Sequence, residues 1–241
     1  RAPTLERPAA PDIPHTRQAQ TVSDVVAAQA IQTCALPAQT LSALLHVASS
    51  LPTYTLYIKQ TLHNIAPEEL ARLGTALATH AHLQSLVLDV RPSLGEEHSQ
   101  RPTPLLRAVR SLSQLRSIAV WASAAQIGRA GMVTLAQGLS ASKDSLRSLA
   151  VQAASCSLPA SAVVALLAAC KELQQLCTLE LNLAHNQSFS TAAASELGQA
   201  LPCLAMLETF SLVLESTRLQ KGVAPSVACA VAGMRDSAPR L

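Results

Sequence analysis

The sequence predicts an α/β solenoid of strand–helix units about 31 residues each, with a parallel sheet on the concave face and helices on the convex face. Three observations predict it. An aliphatic motif, loosely L-x-x-L-x-L-x-L, recurs six times at intervals of 30 to 32 residues. Inside each copy apolar and polar residues alternate, the period of a strand. Between copies the apolar residues recur at three and four, the period of a helix. Composition fits one repeated aliphatic unit: Leu fills 39 of 241 positions, and only 2% of residues are aromatic.

The first 20 residues hold four prolines and three arginines without an amphipathic period, and read as an extended arm. The chain opens at Arg1. That fits a chain trimmed of an organellar targeting peptide or a plain boundary. Residues 21–241 read as a single solenoid domain. The strand motifs begin at Leu51, Leu83, Leu115, Leu146, Leu176 and Leu207. Helical stretches precede them, beginning at Pro37, Pro67, Pro104, Met132, Ser161 and Thr191. Pro67 with Glu68 and Glu69 is a helix-start signal, and Ser161 and Thr191 are candidate caps. A last helix fits Val223 to Met234, and Leu241 falls where a further strand would begin. An α-helical-hairpin repeat is the competing architecture. The β-branched, period-2 segments LVLDV, IAVWA and LELNL argue for strands instead.

The motif resembles the leucine-rich-repeat family, most nearly its long-repeat, ribonuclease-inhibitor-like class. The resemblance covers about residues 38–241. It implies a binding surface rather than a catalytic fold. That family places Asn at motif position 9, bonded to the turn backbone of neighbouring repeats. Here position 9 reads Lys59, Arg91, Ser123, Ala154, Ala184 and Glu215. An Asn ladder is therefore expected to be absent and the loops irregular.

Positions 3, 5 and 7 should face the concave side. Position 3 carries a hydroxyl in every copy: Thr53, Ser85, Ser117, Ser148, Thr178 and Thr209. A self-satisfying cross-strand ladder is the expected reading. Position 7 varies: Tyr57, Asp89, Trp121, Gln152, Asn182 and Val213. With Glu180 from position 5, the residues Tyr57, Asp89, Trp121, Gln152 and Asn182 form the expected protein-contact set. Exposed Trp and Tyr are typical interface anchors.

Charge is uneven. Arg101, Arg107, Arg110, Arg116, Arg129, Lys143 and Arg147 stand against one acid, Asp144. Between Lys171 and Glu215 five acids stand against one lysine. The arginines of the basic zone are candidate contacts for RNA phosphate or an acidic partner.

Other functions find little support. Nucleotide-loop, nucleophile-elbow and zinc-protease motifs are absent from the sequence. His80 and His82 are a weak metal hint, and the six cysteines include no C-x-x-C pair. They read as reduced, mostly buried thiols. No apolar run is long enough for a membrane span. The expectation is a non-enzymatic, intracellular scaffold without cofactor or small-molecule substrate, a structural subunit of a protein assembly. The alternative is an RNA-contacting subunit of a ribonucleoprotein such as an organellar ribosome, which would make the location mitochondrial.

Overall fold

The computed structural model describes residues 30–34, 55–59, 66–91, 102–125, 127–186, 189–215, 217 and 223–237. The N-terminal arm, Arg101 and the stretch 37–50 lie outside these residues.

Seven parallel strands form one sheet in sequence order: β1 (Ala30–Cys34), β2 (Thr55–Lys59), β3 (Ser85–Asp89), β4 (Ser117–Trp121), β5 (Ser148–Gln152), β6 (Thr178–Asn182) and β7 (Thr209–Val213). The helices are α1 (Pro67–Ala78), α2 (Thr103–Ala108), α3 (Gly128–Leu139), α4 (Ala160–Cys170), α5 (Thr191–Ala200) and α6 (Val223–Ser237). Each strand and each helix packs on the next of its kind. Helices pack about 8–10 Å apart and strands about 4.8 Å, so the sheet side is the concave one. The fold is a leucine-rich-repeat-like solenoid.

The core is the inner row of each motif. Positions 1, 4, 6 and 8 are at most 1% exposed in the central repeats: Leu115, Ile118, Val120 and Ala122, for example, or Leu176, Leu179, Leu181 and Leu183. The helices close over this row with Leu70, Leu73 and Leu77, and with Leu166, Leu167 and Cys170. Gly74 in α1 is a glycine for a reason of space. A Cβ there would lie 2.6 Å from the Pro104 carbonyl oxygen, so α1 and α2 approach without one.

Three local expectations need correction. Strand β1 was not expected; AIQTC carries no leucine, and it lies closer to β2 than one repeat length. The first copy of the motif is also displaced. Thr55 pairs with Ser85 and Tyr57 with Val87, so the copy begins at position 53, not 51. A two-residue slip keeps every side chain on its face, because the strand period is two. The hydroxyl row survives it, now starting at Thr55, whereas Tyr57 moves to position 5. Finally, α5 is capped by Ser190, whose hydroxyl oxygen accepts the Ala193 N–H at 3.1 Å; Thr191 is already helical. Ser161 is likewise inside α4, after Pro159.

No asparagine ladder forms among the described residues, but a mixed row two positions further on bonds one repeat to the next. Ala124, Ser155 and His185, all at position 10, take positive φ of 62°, 56° and 56°. This left-handed step turns the chain off the sheet. It brings the next residue, position 11, back under the preceding repeat. There Asn186 is 5% exposed. Its Nδ2 donates to the Ala153 and Leu183 carbonyls at 2.8 and 2.9 Å. Its Oδ1 accepts the N–H groups of Cys156 and Leu158 at 3.1 and 3.0 Å. Cys156 and Thr217 hold the same position. The Cys156 thiol donates to the Ala122 carbonyl at 2.9 Å, and the Thr217 hydroxyl to that of Leu183 at 3.1 Å. The loops are thus regular, stitched by a Cys–Asn–Thr row. Burial pushes the Cys156 thiol up to about 12, against weaker opposing bonds to backbone, so it stays protonated as this donor role needs.

Candidate protein-binding face

Alternating burial on β4, β5 and β6 puts positions 3, 5 and 7 on the open face of the sheet. The expected contact residues therefore share one surface, except in one respect. Tyr57, Trp121, Gln152, Glu180 and Asn182 are half-buried there, but Asp89 is only 2% exposed.

Asp89 is closed in by its neighbours. Arg91 donates from Nε and Nη2 to the two carboxylate oxygens, each at 2.8 Å. The same guanidinium lies 5.4 Å from the centre of the Trp121 ring. Tyr57 meets Trp121 edge to face, with ring centres 5.9 Å apart and planes at 72°. Tyr57 and Trp121 belong to β2 and β4, so the pair bridges β3 and covers Asp89. The Asp89 hydrogen bond raises the Arg91 pKa above the ordinary guanidinium value. Asp89, itself buried, thus braces Arg91 over the Trp121 ring. Sequence reasoning missed Arg91 because it was treated only as a vacant ladder position.

Beyond Trp121 the face becomes shallow. Its floor is Ala119 and Ala150, bordered by Ser117 and Ser148 and, on the next strand, Glu180. The position-3 hydroxyls make no hydrogen bonds among the described residues, which corrects the expected self-satisfying ladder. Asn182 is partly engaged: its side-chain oxygen accepts the Ala184 N–H at 3.2 Å.

The basic zone does not form one surface. Arg107 lies on α2 and Arg110 on the 3-10 turn that follows it. Arg129 is in the first turn of α3, at the opposite end of the helix layer. Arg116 and Arg147 immediately precede β4 and β5, and the Arg147 N–H donates to the Arg116 carbonyl at 2.8 Å. All five are exposed. In the acidic zone Lys171 pairs with Glu196 across α4 and α5, on the helix side. Among the described residues no group of three or more His, Cys, Asp or Glu could hold a metal. No helix among them is long and apolar enough to cross a membrane.

No family model and no curated protein matches the sequence. Among solved structures the chain is similar to the tropomodulin C-terminal domain of Caenorhabditis elegans. The identity is 11% and the TM-score 0.46, over 83% of this chain and 95% of that one.

Proposed function

We propose that the protein is a non-catalytic protein-interaction scaffold of the long-repeat, ribonuclease-inhibitor-like class, and a structural subunit of a larger assembly. The concave sheet face is its binding surface, and residues 21–241 act as one domain. The observation that carries this reading is the braced aromatic pair. Trp121 and Tyr57 stand half-exposed beside a floor of alanines, held in place by Arg91 and Asp89. Rigid aromatic anchors lose little entropy on binding, and a small-residue floor lets a partner's backbone come close. The distribution of the basic residues over the strand-entry rim and opposite ends of the helix layer favours protein over RNA, which needs a continuous basic track.

The test is native purification of the tagged full chain, with and without nuclease, followed by quantitative mass spectrometry. The variants are Trp121→Ala, and Gln152→Arg with Asn182→Arg, which fills the face without removing any core. The expected result is a nuclease-resistant partner set that both variants lose by about tenfold or more and that Ala168→Arg, on the helix side, retains. Circular dichroism checks that each variant folds. Partners that vanish with nuclease, or survive both concave variants, would contradict the reading.

A further inference from the structure

We infer that Arg116 and Arg147 form an anion-reading pair at the strand-entry rim of this face, and that the partner meets it with the carboxylates of an acidic peptide segment. This rests on the proposed concave binding surface and adds the chemistry of what lies across its rim.

The two arginines are held side by side by the backbone. Position 2 of the motif forms a continuous ladder. The Arg116 N–H donates to the Gln84 carbonyl at 2.7 Å, Arg147 to Arg116 at 2.8 Å, Cys177 to Arg147 at 2.7 Å and Glu208 to Cys177 at 2.7 Å. Residues along it stand about one strand spacing, ~4.8 Å, apart. Two guanidinium groups at adjacent rungs repel each other. Among the described residues no acid is paired with either to offset that cost. Both side chains are exposed, and neither makes an ion pair or a side-chain hydrogen bond among the described residues. Asp144, on the exposed turn before Arg147, is paired with neither.

The neighbouring groups supply further donors. Ser117 and Ser148 follow the arginines directly, are half-buried on the concave side, and have unbonded hydroxyls. Two planar five-donor forks at adjacent rungs of the rim, each followed by a hydroxyl residue, suit a short anionic segment laid along that rim. The anion must be short. One rung further the row turns to Cys177, and at the next to Glu208, which would repel a continuing phosphate backbone. The aromatic rings of the face are engaged with each other and with Arg91, so they do not offer a free stacking platform for bases. Carboxylates spaced along a peptide fit this pattern, and a nucleic-acid strand does not.

The test is fluorescence anisotropy on the full chain, with a labelled Glu-rich peptide and, separately, a labelled single-stranded RNA as probes. The variants are Arg116→Gln with Arg147→Gln, and, as a control of equal charge loss, Arg107→Gln with Arg129→Gln. All four positions are exposed, so the variants should keep the wild-type circular dichroism. The expected result is peptide binding that weakens about tenfold in the first variant and stays within about twofold in the control. The inference is overturned if the peptide does not bind, if both variants weaken it equally, or if RNA binds more tightly than the peptide. The scaffold reading fails separately. If the native partners are lost in Trp121→Ala and kept in Arg116→Gln/Arg147→Gln, only this inference falls; if both variants keep them, the binding surface falls as well.

Discussion

The central strands and the last unit, β7 with α6, are built from one motif and bury it to different degrees. In β6, Leu179, Leu181 and Leu183 are at most 1% exposed. Their counterparts in the last unit, Phe210, Leu212 and Leu214, are only half-buried, and Val213 is 38% exposed. The outer face of α6 continues the opening. A groove of about 560 Å³ runs between Leu214 and Val223, Val227 and Val231. The motif is the same, so the difference comes from the neighbours. A strand in the middle has a strand neighbour on both sides, whereas among the described residues β7 has one only, β6. Stability in such an array is the sum of nearest-neighbour interfaces, and the last unit has one fewer among the described residues.

That comparison can be broken by matched substitutions. Leu181→Ala should cost about 3–4 kcal/mol, because it leaves a closed cavity. Leu212→Ala, at the same position in β7, should cost about 1–2 kcal/mol, because solvent already reaches the site. Chemical denaturation of both variants measures the difference; equal costs would mean that β7 is as well sealed as β6.

The position-11 row sharpens the same contrast. Asn186→Ala leaves the Cys156 and Leu158 N–H groups and the Ala153 carbonyl without the Asn186 partner, and should cost about 2–4 kcal/mol. Thr217→Val removes one half-buried bond at the open end and should cost about 1 kcal/mol or less. Thermal melts of the pair check it. A small effect at Asn186 would show that the row does not hold the repeats together.

Much of this was legible in the sequence, and the misses have physical causes. From β3 onward, a leucine at position 1 and large apolar residues at positions 4 and 6 fixed the strands and their register. In the first copy Leu51 competes with Thr53 for position 1, and a two-residue slip changes no face, so alternation alone could not choose. Strand β1 lacks the aliphatic pattern because its pairing comes from β2, a non-local cause. The ladder was sought two residues too early, since the left-handed step at position 10 is invisible in a row of Ala124, Ser155 and His185. Trp121 was recognisable as an anchor by type and face. That Asp89 would be buried beneath it depends on Arg91 folding back by two residues, which no periodicity encodes.

The most direct test of the concave face as the binding surface is site-specific photo-crosslinking in the native source. A photoreactive residue at Ala150, on the sheet floor, is compared with one at Ala168, exposed on α4. The account predicts protein adducts from position 150, reduced by Gln152→Arg with Asn182→Arg, and none from position 168. Adducts from position 168 alone, or equally from both, would contradict it.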